Sequence, residues 1–103
     1  MNKIKLNQWF VDKDELSISL MNFFVKINIV FYEDYIYYEL NVIKDSIQCL
    51  TINFYSIEAA ITFTEDVIDK CSSVEEIVIN YERLFNENKD NPDSGYVFKR
   101  KLT

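Results

Sequence analysis

The chain has 103 residues, a net charge of −6, 16% aromatic residues, one glycine (Gly95), one proline (Pro92) and no histidine. That length is one domain, and 49% hydrophobic residues are enough for a packed core. Without histidine there is no imidazole base, Ser-His or Cys-His dyad or imidazole metal ligand, and one glycine leaves no Gly-rich loop for a phosphate or dinucleotide.

Near the N-terminus, residues 3–6 fit a short strand. Lys3 and Lys5 are followed by polar interruptions and no small-residue cleavage site, so no secretory signal is expected. Asp12-Lys13-Asp14-Glu15 fits a cap, and Leu16, Leu20, Phe23 and Phe24 then recur on one side of a helix. Leu16-Ser17-Ile18-Ser19-Leu20 also alternates, and serine is a poor helix former; the apolar spacing favours an N-terminal helix over residues 12–24. The apolar run 23–31 is broken by Lys26 and Asn28 and is too short to cross a bilayer, so a soluble cytoplasmic protein is expected.

Three stretches then show period two, the strand signal. Val25, Ile27, Ile29 and Phe31 alternate with Lys26, Asn28, Val30 and Tyr32. Ile36, Tyr38, Leu40 and Val42 alternate with Tyr35, Tyr37, Glu39 and Asn41. Leu50, Ile52 and Phe54 alternate with Cys49, Thr51, Asn53 and Tyr55. A two-residue loop at Glu33-Asp34 sets Phe31 against Ile36, Ile29 against Tyr38 and Ile27 against Leu40. A three-residue loop at Lys44-Asp45-Ser46 sets Leu40 against Leu50 and Tyr38 against Ile52. Each apolar set then shares one face. Asp34 and Asp45 are the expected sites of unusual φ. Cys49 and Cys71 form no motif and are expected as buried thiols.

Ser56 fits an N-cap for a helix with Ile57, Ala60, Ile61, Thr64, Val67, Ile68 and Cys71 at helical spacing. Ser73-Val74-Glu75-Glu76 fits a capping box before a second stripe of Val74, Ile77, Val78, Tyr81, Leu84 and Phe85. Residues 86–95 are a polar loop. Tyr96-Val97-Phe98 fits a last strand before the basic tail Lys99-Arg100-Lys101. The expected fold is α+β: residues 1–103 as a single small domain, a three-stranded antiparallel meander packed against two C-terminal helices, with an N-terminal helix and residues 86–103 as polar loop and tail. Its expected core is Ile27, Ile29, Phe31, Tyr38, Leu40, Leu50, Ile52, Phe54, Ile61, Ile68, Ile77, Tyr81 and Leu84.

Ten acidic residues lie between Ile57 and Asp93: Glu58, Glu65, Asp66, Asp69, Glu75, Glu76, Glu82, Glu87, Asp90 and Asp93. Only Lys70, Arg83 and Lys89 oppose them. Such a surface suits a basic groove on a protein partner and disfavours direct contact with nucleic acid, whose phosphates need Lys and Arg. A second set, Tyr32, Tyr35, Tyr37 and Tyr55, falls on the sheet face opposite the apolar rows. It fits a protein-binding face or a homodimer contact, unless Trp9 and Phe10 cover it. Asp12, Asp14 and Glu15, or Glu65, Asp66 and Asp69, match no calcium loop, so no metal, cofactor or catalytic residue is assigned.

The abundance of Ile, Asn, Lys, Tyr and Phe fits AT-rich codons, hence a low-GC bacterium or one of its phages or plasmids. In size, acidity and composition the chain is similar to small phage anti-CRISPR and anti-restriction proteins. That similarity implies a non-enzymatic, DNA-mimicking inhibitor that presents its acidic surface to the basic groove of a host nuclease. The alternative is a small homodimeric interaction module whose acidic helices serve solubility.

Overall fold

A computed structural model describes residues 8–97. Five strands run in chain order: β1 (Phe10–Asp12), β2 (Glu15–Ser19), β3 (Phe24–Tyr32), β4 (Tyr35–Lys44) and β5 (Ile47–Phe54). They are followed by α1 (Ile57–Asp66), a 3-10 turn (Ile68–Lys70), α2 (Val74–Asn88) and a second 3-10 turn (Pro92–Ser94). The strands form one antiparallel meander in the order β1-β2-β3-β4-β5, and the helices cover one of its faces. The α+β class stands, but the sheet has five strands rather than three, and no helix occupies residues 12–24.

Pairing decides that N-terminal segment. Lys13 adopts φ +52, which lets Lys13-Asp14 reverse the chain between β1 and β2. Leu16 then meets Ile27, and Ile18 meets Val25, on the helix-covered face, while Ser17 and Ser19 turn to the other. A helix would have kept Leu16 and Leu20 on one side but left the edge of β3 unpaired. The alternation of serine with apolar residues is therefore the signal that prevails.

The β3–β4 hairpin has the expected register, Phe31 opposite Ile36 through Ile27 opposite Leu40. Its positive φ lies at Glu33 rather than Asp34. The β4–β5 hairpin corrects the expectation by two residues: Leu40 meets Ile52 and Tyr38 meets Phe54. Its loop is two residues, Asp45-Ser46, both with positive φ, as a primed hairpin turn requires. That loop alone would put Leu40 opposite Thr51 and turn the apolar row outward. A bulge at Cys49, between the Val42–Leu50 and Ile43–Gln48 pairs, adds the residue that restores parity. Cys49 is consequently exposed rather than buried; Cys71 is buried as expected, and both thiols are free.

Ser56 caps α1 by accepting from the Ala59 N–H, and Ser73 caps α2 by accepting from the Glu76 N–H. The Glu76 carboxylate returns to the Ser72 N–H at 2.9 Å, a capping box displaced by one residue. The core contains Ile27, Leu40, Ile52, Phe54, Ile61, Ile68 and Ile77 as expected, together with Trp9, Ile18, Phe23, Val25, Val42, Ala59, Ala60 and Phe63. Tyr38, Leu50, Tyr81 and Leu84 pack against it half-buried. Phe31, expected in the core, is 69% exposed because the hairpin tip runs past the end of the helices. The helix α2 continues to Asn88, three residues into the expected loop. Tyr96 and Val97 are not in a strand. Residues 3–6, Phe98 and the Lys99-Arg100-Lys101 tail fall outside the described residues.

Candidate functional site

From Ile57 to Asn88 eight carboxylates stand against two cations, Lys70 and Arg83. This stretch carries −6, the net charge of the whole chain, and the rest of the sequence balances to zero. Folding places all of it in the helical layer on one side of the sheet. Five of these carboxylates have a local structural task. Glu58 lies in the first turn of α1, and Glu75 and Glu76 in the first turn of α2, where the helix dipole favours negative charge. Glu65 accepts the indole Nε1–H of Trp9 at 2.9 Å. Glu87 pairs with Arg83 at 3.3 Å, an exposed bridge worth under about 1 kcal/mol.

Three remain. Asp66 sits at the C-terminal end of α1, where the dipole disfavours it and no basic residue compensates. Asp69 projects from the 3-10 turn and Glu82 from the middle of α2, both exposed. Among the described residues none of the three makes an ion pair or a hydrogen bond. Asp66, Asp69 and Glu82 are thus the acidic residues whose placement local stability does not explain.

The tyrosines occupy the other face. Tyr32, Tyr35, Tyr37 and Tyr55 stand on the helix-free side of the sheet, near the β3–β4 turn, as Tyr32–Tyr35 and Tyr37–Tyr55 ring pairs 5.6 and 6.4 Å apart. Tyr32 is 51% exposed. Trp9 does not shield them, because it is buried in the core beneath α1; Phe10 on β1 is exposed. The acidic and tyrosine sets therefore lie on opposite faces of the sheet.

The same open face carries a ladder that the sequence reading missed. Gln48 donates to the Thr51 hydroxyl at 2.8 Å, and Thr51 donates to Asn41 Oδ1 at 2.8 Å. The Asn41 amide donates to Asn28 Oδ1 at 3.3 Å and Glu39 Oε1 at 3.4 Å, and the Asn28 amide to Glu15 Oε1 at 3.2 Å. Lys26 closes the row on Glu15 at 3.8 Å. Neighbouring side chains leave Asn41 only 6% exposed. The signal was available for all but Gln48: the others hold the parity opposite the apolar rows on four consecutive strands, and Gln48 joins them only through the Cys49 bulge. The ladder uses its donors and acceptors internally and offers no nucleophile beside a base.

Between sheet and helices an aromatic cluster of Phe54, Phe63, Tyr81, Phe85 and Tyr96 packs with ring centroids 5.4–6.0 Å apart in its closest pairs. Burial first, then Tyr81 and Asp66, pushes the Tyr96 phenol up to about 12 against an opposing pull from Arg83. Burial, then Tyr55, also raises Tyr81. These phenols stay protonated at neutral pH and serve as packing. Burial, then Glu76, raises the Cys71 thiol, so it is not an activated nucleophile. Tyr35 is raised by desolvation first and then by Tyr32, Glu33, Tyr55 and Tyr37.

Among the described residues no group of three or more carboxylates and thiols is arranged to hold a metal ion, and no helix is long and apolar enough to cross a membrane. No protein-family model matches the chain, and no curated protein or solved structure matches it.

Proposed function

We propose that the chain is a non-enzymatic binding protein that presents its helical layer to a basic groove of a protein partner. A nuclease whose groove is built for nucleic-acid phosphates is the preferred class, in the manner of anti-CRISPR and anti-restriction inhibitors. The observation that carries this is uncompensated charge: residues 57–88 hold eight carboxylates against two cations, and Asp66, Asp69 and Glu82 among them have no local task. Fixed carboxylates on a rigid support steer and hold a positively lined cleft without needing one of their own. The contacts are assigned first to Asp66, Asp69 and Glu82, with Glu58, Glu65, Glu75 and Glu76 adding to the field.

The test is capture from a low-GC bacterial lysate on the immobilised chain, beside a triple Asp66→Lys, Asp69→Lys, Glu82→Lys variant. A DNA-cleaving protein that is held at low salt, released at high salt and not held by the variant supports the proposal. Capture indifferent to salt and to the variant overturns it.

The exposed aromatic end of the open face favours a second reading, a homodimer through Tyr32, Tyr35, Tyr37 and Tyr55. Sedimentation giving a salt-independent dimer that Tyr32→Ser with Tyr35→Ser dissociates would favour it.

A further inference from the structure

The two edges of the sheet are built differently. Edge β1 is three residues long and runs into Asp12, Lys13 and Asp14, which blunt it. Edge β5 is eight residues, Ile47 to Phe54, with no charged residue and no proline, and among the described residues no strand lies beyond it. The bulge at Cys49 disturbs only its first half. Just past its end the Tyr55 N–H points away from β4 and donates to the Gly95 carbonyl at 2.7 Å. Strand alternation then turns the N–H and C=O groups of Asn53 and Thr51 outward as well.

Over this edge hangs α2. Between them is an open groove of about 540 Å³, with Leu50 and Ile52 along the floor, Val78, Tyr81 and Phe85 along the wall, and Glu82 on α2 beside them. Outward backbone groups select an extended chain. The apolar wall selects apolar side chains at every second position on the α2 side. Glu82, on a helix with four carboxylates and one arginine, selects a cation. A second copy joined through its own β5 would bring a second α2 of the same sign alongside the first, so charge argues against self-pairing.

We propose that β5 takes an extended segment of a partner protein by strand addition, with alternate apolar side chains under α2 and a Lys or Arg against Glu82. The proposal shares Glu82 with the charge-layer reading but not Asp66 or Asp69, and the backbone contacts at Thr51 and Asn53 that its test reads belong to it alone.

The test uses the full chain and a fluorescein-labelled heptapeptide of alternating threonine and valine with lysine at its sixth position. Two relatives serve as controls, one with glutamate at the sixth position and one with proline at the third and fifth. The lysine peptide should bind at least tenfold tighter than either control and slow amide exchange at Thr51 and Asn53. Asn53→Pro, which removes an outward donor, should weaken it tenfold. Glu82→Lys, at an exposed position that leaves the fold intact, should reverse the preference toward the glutamate peptide. Equal binding of the proline peptide, unchanged exchange at Thr51 and Asn53, no reversal in Glu82→Lys, or a dimer in which those amides are protected without peptide would each overturn it.

Discussion

Replacing Gly95 by alanine is expected to cost about 2–5 kcal/mol. Gly95 follows the last 3-10 turn in left-handed conformation, φ +86, and its carbonyl holds the Tyr55 N–H at 2.7 Å. An L side chain in that region costs roughly 1–2 kcal/mol. A Cβ at Gly95 would fall 2.6 Å from the Ser56 Cβ and 2.7 Å from the Ala59 Cβ. Both belong to the capped first turn of α1, and neither can swing away by a rotamer change, so overpacking adds about 1–3 kcal/mol. For a domain of this size each kcal/mol moves Tm by about 4–8 °C, so a fall of roughly 8–40 °C is expected in thermal unfolding followed by circular dichroism. Gly95→Asn separates the two causes, since asparagine tolerates positive φ but carries the same Cβ. A loss below ~1 kcal/mol in Gly95→Ala would refute the close approach, and full recovery in Gly95→Asn would assign the whole cost to φ.

Two further outcomes follow from buried polar groups. Trp9→Phe keeps an aromatic ring in the core but removes the 2.9 Å bond to Glu65. It should lower stability by about 1.5–3 kcal/mol in urea titration, the range for a hydrogen bond to a charged acceptor, and a cost near zero would mean that the bond holds nothing in place. For Tyr96, a folded value of about 12 against an ordinary 10 means that both states are protonated below pH 10 and the stabilisation is complete there. From pH 10 to 12 only the unfolded chain ionises and stability falls, by at most ~3 kcal/mol and by about half that for a phenol in partial contact with solvent. Tyr81 acts in the same direction. Urea midpoints measured from pH 9 to 11.5 should decline less steeply in Tyr96→Phe than in the parent chain, and identical slopes would rule the contribution out.

Most of the hydrogen-bonded skeleton was legible because its signals are local. Period two located three strands, and the Ser56 and Ser73 caps located the start of both helices to the residue, though α1 ends at Asp66 rather than near Cys71 and α2 runs on to Asn88. The β3–β4 register followed from parity and loop length alone. What escaped was whatever depends on a partner far along the chain. Residues 15–19 satisfy two local patterns, and only their pairing with β3 selects the strand. Lys13, Glu33 and Ser46 take left-handed conformations that glycine, asparagine or aspartate would have advertised. The Cys49 bulge has no residue signature, and it compensates a loop one residue shorter than expected, so register was displaced while Leu50, Ile52 and Phe54 kept their face. Phe31 follows the apolar row faithfully and is exposed only because the helix layer ends before the hairpin does.

The acidic residues were legible as a list but not as a partition. Trp9 and Glu65 meet across 56 positions, and that contact removes one carboxylate from the set available to a partner. The dipole and capping roles of Glu58, Glu75 and Glu76 remove three more, and Arg83 removes Glu87. The remainder is informative because it opposes stability. Two carboxylates 10 Å apart repel by about 0.4 kcal/mol in water before screening, and a negative charge at a helix C-terminus such as Asp66 costs roughly 0.3–1 kcal/mol. Interspersing the signs would keep the chain soluble without that repulsion. Between Ile57 and Asn88 only Lys70 and Arg83 are interspersed among eight carboxylates. Solubility asks for net charge and stability asks for mixing; a layer that has the first and forgoes the second supports a demand from outside the molecule, a positively charged surface that meets these helices.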